Sequence, residues 1–275
     1  MKKIVVFTIV GLAVLSLFAA KNPPVLGSST VVTEEREIVD FNAVSVSHGI
    51  DLHLTQSNSI ALKVEADEHV ISHLITEVKG DRLNIYIDGK VTNIEVLNVY
   101  LSYKHLNRLI GSSGADIITE NIMESDDLEV DISSGCDLQI EIKGHRASFD
   151  VRSGADAYVA FEGKKLVVDA SSGATVNLKA DELDNATFTL SSGATINADG
   201  SAAEVDVETS SGSTFSGYEL VGVNVSAKAF SASSIQVTVV GDLHARASDV
   251  GSVYYKGKVD NCYIKENTLG TVSKR

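Results

Sequence analysis

Along most of this chain, apolar and polar residues alternate one for one. In "LVVDASSGATVNLKA", Leu166, Val168, Ala170, Ser172, Ala174, Val176 and Leu178 share one parity, while Asp169, Ser171, Gly173, Thr175, Asn177 and Lys179 share the other. A period of two is the signature of strands with one buried face, not of helices. The same phrase returns as "FTLSSGATINA". The glycines at its centre are Gly114, Gly135, Gly154, Gly173, Gly193 and Gly212, so consecutive copies lie 21, 19, 19, 20 and 19 residues apart. A weaker copy, "FSASSIQV", has Ala232 at the glycine position. Turn-forming residues separate the copies at Gly144, Gly163, Asp181 to Asn185, Gly200, Gly217 and Gly241.

A strand pattern repeating near every twenty residues predicts an all-β protein, a parallel β-helix or β-solenoid. Each strand then pairs with its equivalent one coil away, at about 4.8 Å. A lone coil buries too few apolar side chains to offset the entropy of ordering it, so copies must stack.

The recurring serines sit in this frame. Ser113, Ser134, Ser153, Ser172, Ser192 and Ser211 fall on the inward parity, each just before its glycine. They are expected to form a structural ladder at a bend, bonding backbone or one another, with glycine supplying the conformational freedom a corner needs. A nucleophilic serine is needed once and beside a histidine base; six copies without a recurring histidine argue for architecture.

Residues 34–110 are less regular and read as the first part of the same body, an amino-terminal cap over the repeats of 111–258. They include one short helical stretch, with His69 and His73 four residues apart. That spacing places two imidazoles on one face, but neither a third ligand nor a general base accompanies them. Residues 1–20 have the layout of a signal peptide: Lys2 and Lys3, an apolar run from Ile4, and a small-residue edge at Ala19-Ala20. Residues 21–33 read as a flexible leader and 259–275 as a carboxy-terminal cap or tail. No other segment is apolar enough to span a bilayer.

Charge narrows the partners. The net charge is −14, and loss of Lys2 and Lys3 with the signal peptide takes it to −16. Such a surface repels nucleic acid and anionic lipid. Cys136 takes the place that alanine holds in other copies and reads, like Cys262, as a free thiol.

The acids also form a pattern. Two residues after the glycine stand Asp51, Asp116, Asp137 and Asp156, then Thr175, Thr195 and Thr214; four before it stand Asp131, Asp150 and Asp169. In-register stacking makes Asp116, Asp137 and Asp156 one column beside Asp131 and Asp150. Two readings stay open: a solvated acidic face, or a column that takes calcium. The Gly-Gly-x-Gly-x-Asp phrase of calcium-binding β-rolls is absent. No other cofactor is suggested.

Taken together, the signal, "FNAVSVSHGIDLHL", "LSYKHLNRLIGSSGADI", the "SSGA" phrases and the closing "GSVYYKG" resemble the auto-transporter adhesin family with the head GIN domain. Gly49-Ile50-Asp51 stands close to the Gly-Ile-Asn of that name, with Asp for Asn. The resemblance implies a right-handed β-solenoid in the Gram-negative envelope and supplies no catalytic residues. Auto-transporters carry a carboxy-terminal barrel that this sequence does not show, so display on the surface implies another carrier.

The expected function is therefore a non-enzymatic, exported adhesin or binding module. It would act in the periplasm, on the outer-membrane surface or outside the cell, on an envelope or extracellular protein or glycan. Homo-oligomers through an end strand fit the same sequence. Two alternatives remain: a periplasmic structural or stress-related envelope protein, and a glycan-active enzyme. For the last, acids are plentiful but tryptophan is absent, and Tyr158, Tyr218, Tyr254 and Tyr255 are the outward or edge aromatics.

Overall fold

A computed structural model describes residues 30–275. The signal peptide expected at 1–20, and most of the leader, lie outside the described residues. The chain forms a β-solenoid of about nine turns, with coils about 19 residues apart.

Alternation builds each coil. In Arg146–Arg152 the residues Ala147, Phe149 and Val151 are buried, and in Asp156–Glu162 so are Ala157, Val159 and Phe161. These two strands, with a tight turn between them and a bend at Gly163-Lys164 after them, make one regular coil. Parallel pairing then carries each strand to its equivalent: Arg146 meets Lys165 and Asp156 meets Thr175. Inward side chains from both ladders merge into one core running from Phe41 to Val253. From Thr175 onward the far bend is smooth enough that single strands, such as Thr175–Leu190 and Thr214–Ala229, run through it.

The tight turn explains the recurring phrase, and it corrects the placement of the serines. In the copies from Ser113 to Ser231, the second serine has φ of +51° to +58°, and the glycines that follow from Gly114 to Gly212 have φ of +68° to +74°. Positive φ at both central residues defines a type I′ turn. It is closed by the next residue's N–H donating to the carbonyl three residues back at 3.2–3.3 Å, as from Ala174 to Ser171. Ser113, Ser134, Ser153, Ser172, Ser192 and Ser211 are exposed, not inward. The period of two cannot be carried through a turn, because both central residues swing outward together.

A ladder does exist, made of backbone. Each turn glycine donates its N–H to the second serine's carbonyl in the next coil, at 3.1–3.2 Å from Gly114 through Gly212. The hydroxyls that bond backbone at the bend belong to the position after the glycine, where most copies carry alanine. Ser213 Oγ donates to Leu190 O at 3.2 Å, and Ser233 Oγ to Thr209 O at 2.9 Å.

The amino-terminal end is closed by strands that break the parallel rule. Val31–Arg36 runs antiparallel to Ala61–Asp67, which runs antiparallel to Leu97–Tyr103. Leu74–Lys79 and Arg82–Ile87 form an antiparallel hairpin whose second strand joins the ladder at Ala43–Val46. The leader expected to reach residue 33 therefore gives way to strand at Val31. Within residues 259–275, Asn261–Glu266 and Thr271–Lys274 add another coil, paired with Asp242–Ala247 and Ser252–Gly257. Cys136 is fully buried and Cys262 exposed, and both are free.

Candidate binding face

Stacking in register turns each outward position into a column. Asp51, Asp116, Asp137 and Asp156 stand side by side, one per coil, and the column continues as Thr175, Thr195 and Thr214. Partial burial raises the Asp137 carboxyl above its ordinary value, and Asp116 and Asp156 on either side add to the rise. Asp116 is raised for the same reasons, burial first and then Asp51.

The second column differs, because cations reach it. Asp131, Asp150 and Asp169 are in register. Asp131 accepts from Arg108 at 2.7 Å, and Asp150 lies 3.0 Å from Arg152. Burial still raises Asp150, with Arg152 opposing. Farther along, the column becomes Glu208, Lys228, Arg246 and Lys265, so its sign reverses down the axis. Among the described residues, no three or more His, Cys, Asp or Glu side chains are placed to share a metal ion. The aspartates make ladders, one carboxylate per rung, without the convergent shell of oxygens that calcium takes.

A third column lies four residues past the turn. It passes from Tyr100 and His53 through Ile118 and Gln139 to Tyr158. It continues as Asn177, Asn197, Ser216, Gln236 and Tyr254. Asn197 Nδ2 donates to Asn177 Oδ1 at 3.0 Å, so neighbouring rungs bond along the column. Tyr158 is 58% exposed on this face. Beside it stand Glu141, Lys179, Asp199 and Glu219, and together the two rows line a groove of about 830 Å³. A larger cleft of about 1220 Å³ follows the far bend; within it Lys143 pairs with Glu162 at 2.6 Å and Arg108 with Glu129 at 3.4 Å.

One cluster carried no signal in the sequence. His53 Nδ1 lies 2.6 Å from Glu120, its ring stacks on Tyr100 at 4.8 Å, and the Tyr100 hydroxyl donates to Glu65 at 3.3 Å. Pairing of the cap with the first repeat coil brings these together across up to 67 residues of sequence. Three other histidines bond backbone or a neighbouring side chain. His69 and His73 contact the carbonyls of Thr92 and Asp88, at 3.2 and 2.9 Å. His48 pairs with Ser47 at the first turn, 2.8 Å apart and exposed.

Comparison with known proteins agrees with this geometry. The chain matches the family model described as "Putative auto-transporter adhesin, head GIN domain" over residues 40–177 and 157–258. No curated protein matches. A "putative adhesin" from Parabacteroides merdae has a similar structure, with a TM-score of 0.72 at 22% identity, over 90% of this chain and 98% of that one. A "putative adhesin" and a "putative lipid binding protein", both from Parabacteroides distasonis, each give 0.64, at 20% and 18% identity, over the same shares. At these identities the likeness concerns the fold. No helix among the described residues is long and apolar enough to cross a membrane. With the family model covering most of its length, the chain belongs to the auto-transporter adhesin family with the head GIN domain.

Proposed function

We propose that this chain is an exported, non-enzymatic adhesin, a solenoid whose outer face binds a macromolecule outside the cell. The observation that carries this reading is the third column: the outward run Gln139, Tyr158, Asn177 and Asn197, aromatic and amide side chains on successive coils, held in register along a hydrogen-bonded sheet. Family membership and the adhesin-type neighbours support it. The charged start at Lys2 and Lys3, followed by an apolar run, supports export.

The absence of an enzyme's layout points the same way. The repeated serines hold type I′ turns, and the Ser47–His48 pair sits at an exposed turn with no acid bonded to the imidazole among the described residues. A triad needs the base oriented by a third group. The test of the adhesin reading is exposure: on intact cells the protein should be open to added protease and antibody.

A further inference from the structure

The groove beside the third column has features a general binding face does not need. Tyr158 stands with most of its ring in solvent, while Val159 and Ala157 on either side fill the core. Tyr218 reaches the groove through an irregularity. The register against the next strand jumps between Gly217 and Val221, and that against the preceding strand between Ser216 and Glu219, so Tyr218 is left out of both ladders. Bulges re-aim side chains. This one requires glycine at 217, where a Cβ would collide with the Phe215 ring and lie 3.0 Å from the Gln236 carbonyl. Lys256 Nζ lies 5.0 Å from the centre of the Tyr218 ring. Between the two tyrosines stand Asn177 and Asn197, three coil steps covering roughly 14 Å at the inter-strand spacing.

We infer that this groove binds a linear, uncharged oligosaccharide, with Tyr158 and Tyr218 as stacking platforms and the amides as partners for its hydroxyls. The inference rests on the adhesin reading and names the ligand class for its face. Sugar rings offer C–H faces to an amphipathic aromatic. Their hydroxyls both donate and accept, as the side-chain amides of Asn177, Asn197, Gln139 and Gln236 do. Amides at four of the six coils from Gln139 to Gln236 suit a polymer that repeats along one direction. Glu141, Asp199 and Glu219 outnumber Lys179 at the groove, and Lys256 is already 3.6 Å from Glu219. Uronates and other acidic sugars are therefore repelled. A peptide partner fits less well, because these strands are paired on both sides and offer no open edge for strand addition.

The test uses the full chain, titrated calorimetrically with xylohexaose, cellohexaose and maltohexaose, and with oligogalacturonate as the acidic counterpart. At least one neutral hexasaccharide should bind while oligogalacturonate does not. Tyr158→Ala should weaken that binding at least tenfold, Tyr158→Phe should retain it, and Asp206→Asn on the opposite ladder should leave it unchanged. Tyr158 is exposed, so the variant is expected to melt with the wild type, and circular dichroism checks this. The proposal is overturned if no neutral sugar binds at millimolar concentration, if binding survives Tyr158→Ala combined with Tyr218→Ala, or if oligogalacturonate binds equally well. Failure here by a protein exposed on intact cells removes the sugar groove and leaves the adhesin reading. Sugar binding by a protein reached only after lysis does the reverse.

Discussion

At Ser172 and Gly173 the backbone takes φ of +56° and +74° in succession. Glycine adopts this conformation freely, whereas an ordinary residue there costs about 1–2 kcal/mol. Asparagine is enriched several-fold at positive φ and favoured in type I′ turns. Ser172→Asn should therefore raise the melting temperature and Ser172→Val lower it, by roughly 1 kcal/mol in either direction. Both changes delete the hydroxyl, so equal losses would restore the side-chain ladder that the turn geometry replaces. The Asp column gives the second residue-scale test. A carboxyl raised on folding, as Asp137 is, takes up a proton on folding only in the pH range between its unfolded and folded pKa values. Its charge opposes folding above the folded pKa, and the opposition fades as pH falls through that value toward the unfolded value of 3.8. Each neighbour at the inter-strand spacing contributes about 0.9 kcal/mol even in water, less with salt. Asp137→Asn should melt above the wild type at pH 7 and lose that advantage near pH 3.5. An advantage independent of pH would remove the electrostatic explanation.

Among the elements, size compensation between coils sets the packing at the start of the repeats. Gly111 pairs with Ile132, a large inward residue, yet itself has no side chain. A Cβ at 111 would lie 2.5 Å from Cys136 Sγ and 2.8 Å from Ile117 Cδ1. The sulfur thus fills space that Gly111 leaves, and burial, reinforced by Asp137 and Asp116, pushes the Cys136 thiol up to about 12. Gly111→Ala should cost about 1–3 kcal/mol by overpacking. Cys136→Ala should recover part of it, with a coupling of at least about 0.5 kcal/mol in a double-mutant cycle; strict additivity would show that the sulfur is not the obstacle. The glycine spacing revealed the coils and the acid columns because each copy states the same pairing again. Serine orientation was hidden, since a two-residue turn resets the parity. The cap was hidden too: Val31–Arg36 pairs with Ala61–Asp67 once only, and nothing repeats to announce it. At Ala232, Val250 and Leu269 the turn survives without glycine, at φ of +60°, +66° and +61°. At the first two the N–H still bonds the next coil, Ala232 to Asp249 at 2.9 Å and Val250 to Thr268 at 3.2 Å, and stacking holds what the residue alone disfavours.

Over the whole molecule, repetition converts short sequence phrases into long surfaces. One outer ladder runs from aspartates to lysines and arginine along the axis. The other carries the aromatic and amide column with its groove. With a closed amino-terminal cap and a filled core, the proposed binding falls on the outside. The central claim is that this outside faces another surface beyond the cell. Protease shaving and antibody labelling of intact cells, with lysed cells as control, tests it most directly. The account predicts cleavage and labelling on intact cells at levels close to those after lysis. Protection on intact cells, with full access only after lysis, would contradict it and place the protein's partner inside the envelope.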